Sequence, residues 1–131
     1  MNIIQYWQEG INLAENNLTN AQIDFEDFLK VDIRVGTVLS AKLNQKARVP
    51  AYEMDIDFGV VLGHKKSSAQ LTGNYSADDL IGKQICAVVN FPPRRVAGVK
   101  SEVLVLAIVC QDNGTVLIEP NMPVTNGERL A

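Results

Sequence analysis

Pro92 and Pro93 stand between the two most apolar stretches of the chain, residues 84–90 and 103–110. Each proline fixes φ and removes a backbone donor, so the segment carrying them cannot be a central strand, and any sheet must turn around it. The flanking stretches are too short for helices of ordinary length and read as strands. Between them, residues 90–102 hold Arg94, Arg95 and Lys100. Cations on a stiff, extended support lose little entropy when they meet a partner, which marks the segment as a binding loop. An ordinary hairpin connection with solvated charges would use the same residue types.

The rest of the pattern is also that of strands. Residues 32–42 carry Ile33, Val35, Thr37, Val38 and Leu39, with Gly36 inside the run marking a bulge or sharp bend. Residues 52–58 alternate without a fault, burying one face and showing Glu53, Asp55 and Asp57 on the other. Gly59 reads as the strand end. Residues 62–71 place Lys66, Ser68 and Gln70 on one face and Lys65, Ser67 and Ala69 on the opposite one. Neither face is greasy, so this strand is expected to be half exposed, either as a ligand platform or as an edge. Residues 76–82 supply a serine cap, two acids and a glycine stop for a very short helix, and 115–119 make a last strand. Five or so strands with a short helix between the third and fourth predict an all-β chain, a closed OB-fold barrel. In that architecture the face of strands two and three and the loop between strands four and five receive the ligand.

Ahead of the barrel, Ile3, Ile4, Trp7, Ile11, Ala14 and Leu18 recur at three- and four-residue spacings, the signature of an amphipathic helix. The chain thus divides into a helical extension, residues 1–22, and a barrel domain, residues 24–131. The helix has no Lys or Arg on its polar face, so a membrane-surface role is not expected, and its stripe must pack on the barrel or on a second subunit.

A chain of 131 residues with 47% hydrophobic content fits one domain with a real core. No run has the apolar length to cross a bilayer, and the first cation is Lys30, so stable membrane insertion and a basic secretory start are not expected. The cytoplasm is the expected compartment. Cys86 and Cys110 lie in apolar runs without metal-ligand spacing and read as buried thiols. The net charge of −3 conceals a segregation: residues 30–100 hold eleven of the twelve Lys and Arg but six of the fifteen acids, a local balance of +5 against −8 elsewhere. A local site for an anionic ligand fits that distribution. The Glu53, Asp55, Asp57 row is expected to pair with Lys or Arg on a neighbouring strand rather than to hold a metal. His64 is the single histidine, and no phosphate-cradling glycine motif is present, so neither an enzyme nor a cofactor is expected.

Several blocks in fixed order carry a resemblance. Asp32-Ile33-Arg34-Val35-Gly36, Lys46-Ala47-Arg48-Val49-Pro50-Ala51, Ile56-Asp57-Phe58-Gly59, Lys66-Ser67-Ser68-Ala69-Gln70 and Val89-Asn90-Phe91-Pro92-Pro93-Arg94-Arg95 with Ser101-Glu102-Val103-Leu104 look like the CsaA family over residues 24–131. That resemblance implies a homodimer of OB-type barrels, similar to the tRNA-binding domain of some methionyl-tRNA synthetases. It also implies an export-related chaperone that binds tRNA and unfolded or pre-secretory polypeptide. Carried over by position, the binding surface falls on Lys66, Ser68 and Gln70, on Asn90, Arg94 and Arg95, and on Arg48 and Ser101 as neighbours. Guanidinium forks suit phosphate or carboxylate, while Ser, Gln and Asn hydrogen-bond bases, ribose or peptide. Aromatic platforms are scarce: Phe91, Tyr52 and Tyr75 are each expected in the core, which favours recognition of RNA shape over base reading.

Overall fold

The computed structural model describes residues 20–131, and the helix expected over residues 3–18 lies outside them. A short helix α1 (Phe25–Leu29) leads into the long strand β1 (Ile33–Leu43), followed by β2 (Tyr52–Asp57), a helical turn α2 (Gly59–Leu62) and β3 (His64–Ala69). Helix α3 (Ala77–Leu80) precedes β4 (Gln84–Val88), the hairpin β5 (Arg94–Val96) and β6 (Val99–Ser101), then β7 (Leu104–Val105), β8 (Ala107–Cys110) and β9 (Gly114–Leu117). Five antiparallel strands lie in the order β3-β2-β1-β4-β7, and β5–β6 and β8–β9 form separate two-stranded sheets. The proline-bearing segment stays out of the main sheet, as its missing donors require.

β1 spans two sides of the barrel. Its first half pairs with β4, Ile33 opposite Val88 through Thr37 opposite Gln84, and its second half pairs with β2, ending with Leu43 opposite Tyr52. The register slips between Val38 and Ser40, so the bulge falls there and not at Gly36. Gly36 answers a different need. A Cβ at that position would lie 2.7 Å from Ile56 Cγ2 and 2.8 Å from the Phe58 ring, so the core leaves no room for a side chain.

The seam closes opposite β1. The Glu102 N–H donates to the Lys66 carbonyl at 2.8 Å, and Ser67 Oγ donates to the Val103 carbonyl at 3.0 Å, joining β3 to the chain between β6 and β7. The result is a nearly closed five-stranded barrel of OB type. Its interior holds Val38, Met54, Ile56, Phe58, Leu71, Leu80, Ile85 and Val105, all essentially without exposure. Each such side chain contributes about 1.5–3 kcal/mol through burial. The β2 alternation is as expected, with Tyr52, Met54 and Ile56 inside and Glu53, Asp55 and Asp57 half exposed.

Three elements differ from the sequence expectation. Residues 59–62 form a helical turn, so the strand expected from Leu62 begins at His64. The run 103–110 breaks at Leu106, whose N–H donates to the Cys86 carbonyl at 2.9 Å while its carbonyl accepts from Ile118 at 3.1 Å; the chain turns a corner of the barrel there. The tail also runs beside β1: Val35 donates to Glu128, Gly127 to Val35 and Leu130 to Ile33. The short helix over 76–82 is present as α3, with Ser76 Oγ accepting from Asp79 at 3.1 Å. Cys86 is buried, and burial pushes its thiol pKa up, whereas Cys110 is half buried at the end of β8.

Candidate functional site

On the outer face of β2 and β3 the lysines are paired with carboxylates. Register places Asp55 beside Lys66 and Ser40, and Glu53 beside Lys42 and Ser68. Lys66 Nζ lies 3.0 Å from Asp55 and 3.9 Å from Glu53, and Lys42 Nζ lies 3.8 Å from Glu53. The hydrogen bond from Lys66 holds the Asp55 carboxyl below the usual carboxylate range and raises the Lys66 ammonium in return. Glu53 and Asp55 thus pair with lysines on the neighbouring strands, as the spacing predicts, whereas Asp57 meets no basic side chain but His64 among the described residues. Lys66 is in consequence largely neutralised as a phosphate ligand. His64 stands at the far end of β3, mostly exposed, with Nε2 3.9 Å from Asp57. No cluster able to hold a metal ion occurs among the described residues.

Two expected ligand residues are inside the protein. Ser68 is 1% exposed and Ser101 0%, so the expected open face is open at Lys66 and partly at Gln70 only. Their role is in the seam: Ser101 Oγ accepts from the Ser68 N–H at 3.3 Å and bonds the Val103 carbonyl at 3.3 Å, with Ser67 packed alongside. Ser68 Oγ has no hydrogen-bond partner among the described residues. Serine hides well in such a seam because its small hydroxyl replaces ladder bonds that a corner cannot supply. Asn90 is also committed to structure. Its Oδ1 accepts from the Asp32 N–H at 3.0 Å and its Nδ2 donates to the Lys30 carbonyl at 2.7 Å, pinning the loop to the entry of β1.

The hairpin brings the arginines back to this same side. Arg94 pairs with Ser101, Arg95 with Lys100 and Val96 with Val99, so Arg94 lies across from the serine that contacts Ser68. Ala97 and Gly98 make the tight turn with φ of 49° and 84°. Positive φ at both central residues gives a turn whose twist matches the strands, at some cost for the alanine. Arg95 Nη1 donates to the Gly98 carbonyl at 3.2 Å, fixing the guanidinium beside the turn.

The β1–β2 loop reaches the hairpin from the other side. Asn44 is buried, its Nδ2 donating to the Ala97 carbonyl at 3.2 Å while its Oδ1 accepts the Lys46 N–H at 3.1 Å. Lys46 is thereby brought over the turn; a Cβ on Gly98 would meet its Cδ at 3.5 Å and its Nζ at 3.9 Å. A cleft of about 330 Å³ lies between, lined by Lys42, Asn44, Lys46, Glu53 and residues 97–99. Arg48 is exposed further along the loop. Among the described residues, Lys46, Arg48, Arg95 and Lys100 have no carboxylate within 4 Å. These cations keep their full charge for an anion, unlike Lys66.

Asn44 and Lys46 were not among the residues expected at the site. The run Lys42, Lys46, Arg48 was a visible signal, but its meeting with the hairpin depends on how tightly the hairpin curls. The aromatic expectation holds in part: Tyr52 is buried with its hydroxyl donating to the Tyr75 carbonyl at 2.7 Å, and Tyr75 takes the Leu117 N–H at 3.0 Å. Phe91, expected in the core, is instead 39% exposed.

Residues 33–129 match the family described as "Putative tRNA binding domain". The chaperone CsaA from Bacillus anthracis is 56% identical, with a TM-score of 0.80 over 85% of this chain and 100% of that one. CsaA from Picrophilus torridus is 45% identical, with a TM-score of 0.79 over 84% of this chain and 100% of that one. A methionine–tRNA ligase from Porphyromonas gingivalis is 38% identical over 108 residues, which are 82% of this chain and 15% of the ligase. The chain therefore spans a small part of that enzyme. With the barrel, the match across nearly all its strands and the likeness to whole CsaA chains, this chain belongs to the tRNA-binding-domain family and is CsaA-like within it.

Proposed function

We propose that the chain binds tRNA through its phosphate backbone, in the cleft between the β1–β2 loop and the β5–β6 hairpin. The observation that carries this reading is the set of four cations, Lys46, Arg48, Arg95 and Lys100, that no carboxylate among the described residues neutralises, beside a face whose lysines are paired. Counterion release at such groups supplies affinity without base reading. The matched family and the methionine–tRNA ligase relative support tRNA as the partner. A salt titration of tRNA binding tests it: affinity should fall steeply with salt, and a flat dependence would end the proposal.

The same protein acts as an ATP-independent holder of unfolded or pre-secretory polypeptide in the cytoplasm, without enzyme activity. Support comes from its likeness to two proteins described as CsaA chaperones. Hydrogen-bonding groups rimmed by cations accept an extended peptide as well as an RNA backbone. The purified protein should suppress aggregation of a denatured client without ATP; unchanged aggregation would leave a dedicated tRNA-binding module. As the resemblance to the CsaA family implies, two copies associate. Val60 and Val61 on α2, both almost wholly exposed, are the apolar contact we assign to that association. Val60→Asp with Val61→Asp should give a monomer in sedimentation, and a dimer would reject the assignment.

A further inference from the structure

We propose that Glu53 accepts a hydrogen bond from a ribose 2′-hydroxyl of the bound RNA, so that the cleft distinguishes RNA from DNA. The inference rests on the RNA-binding reading above and adds to it the part of the nucleotide that the cleft recognises.

Glu53 differs from the other two carboxylates of its row. Asp55 accepts from Lys66 Nζ and from Ser40 Oγ, each at 3.0 Å, and Asp57 accepts from the Gly59 N–H at 2.8 Å. Glu53 has no hydrogen-bond donor among the described residues. Its nearest cations, Lys42 and Lys66, stand at 3.8 and 3.9 Å, beyond hydrogen-bond reach. Its side chain is only 22% exposed, so little water reaches it in their place. A carboxylate so placed is desolvated and short of donors, and a ligand that brings an N–H or O–H relieves that cost.

The surroundings select the donor. Glu53 lines the cleft of about 330 Å³ together with Lys42, Asn44 and Lys46, and Lys46 lies over the turn at Gly98. The cations attract phosphate, whereas a carboxylate among them repels it unless the same ligand also donates a hydrogen bond. No lining residue is aromatic, so the cleft gives a base nothing to stack on. Its volume lies at the small end of ligand pockets, which suits one sugar with its phosphate. Along a sugar–phosphate chain the 2′-hydroxyl is the donor, and DNA lacks it.

The test compares tRNA with DNA of the same sequence by filter binding at about 0.15 M salt. The wild type should bind tRNA at least about tenfold more tightly, the worth of one hydrogen bond to a charged acceptor. Glu53→Ala should lose tRNA affinity and gain DNA affinity, shrinking the ratio by about tenfold. Glu53→Gln keeps an acceptor oxygen without the charge and should give an intermediate ratio. Both ligands meet the same protein preparation, so partial unfolding of a variant lowers both affinities alike and leaves the ratio standing. An equal ratio in wild type and Glu53→Ala overturns the sugar contact while tRNA binding itself persists. An unchanged ratio with weakened binding of a denatured peptide assigns the carboxylate to peptide amides and overturns it as well. A wild type that binds no tRNA refutes the RNA reading on which the contact rests.

Discussion

Removing Lys46, which lines the cleft, and Arg95, which is held beside it at Gly98, should change the salt dependence of tRNA binding by a calculable amount. The perturbation is Lys46→Ala with Arg95→Ala, both exposed and both without a carboxylate neighbour among the described residues. Each phosphate contact contributes about 0.7–0.9 to the slope of log affinity against log salt, so losing two flattens it by about 1.4–1.8. Extrapolated from molar salt to 0.15 M, that is a loss of about 15- to 30-fold. Lys66→Ala is the control. Lys66 Nζ sits 3.0 Å from Asp55 and already spends its charge there. Its remaining pull on a phosphate about 8 Å away through water is about 0.5 kcal/mol, or roughly twofold, with little change in slope. Filter binding at four salt concentrations between 50 and 200 mM measures all three proteins. A Lys66→Ala slope as flat as that of the double variant would put the RNA on the β2–β3 face and refute the argument from neutralised charge.

Three further outcomes follow from the barrel. Gly36→Ala pushes a methyl against Ile56 and Phe58 and should cost about 1–3 kcal/mol in urea denaturation; no loss would mean that the core yields there. Ser101→Ala leaves the buried Ser68 N–H without its acceptor and should cost about 1–3 kcal/mol, seen as a lower Tm with an unchanged circular dichroism spectrum. The Asp55–Lys66 pair adds stability above the carboxylate's unfolded pKa, and this is lost as pH falls through its lower folded value. Because both groups are well exposed, the pair contributes well under 1 kcal/mol, so wild type and Asp55→Asn should differ slightly at neutral pH and converge in acid.

Much of this architecture is legible in the chain itself, and the exceptions have physical causes. The strict alternation of β2 could bury one face only, and the prolines could only lie outside the main sheet. Leu62 read as the start of a strand because apolar residues do not distinguish a strand from a helical turn. Ser68 and Ser101 read as exposed because serine is ordinarily outside; what buries them is the closure of the seam, a nonlocal event. Lys46 was overlooked for the same reason, since its position over Gly98 depends on one hydrogen bond between Asn44 and Ala97, 53 positions apart. Arg94 and Arg95 were legible because their support is local, held by prolines and the hairpin pairing. Asn90, expected to touch ligand, is a fastening, and only the coordinates reveal its two backbone partners.

The seam between β3 and the β6–β7 segment is fastened by a main-chain bond and serine hydroxyls in place of a continuous ladder. A cylinder stitched this lightly along one line will breathe there first, parting at the stitches while β1, gripped on both flanks, stays shut. The line of parting runs alongside Arg94, so every transient unzipping loosens the footing of the hairpin. Whatever chain occupies the cleft would then act as a clamp on the barrel itself, slowing its opening.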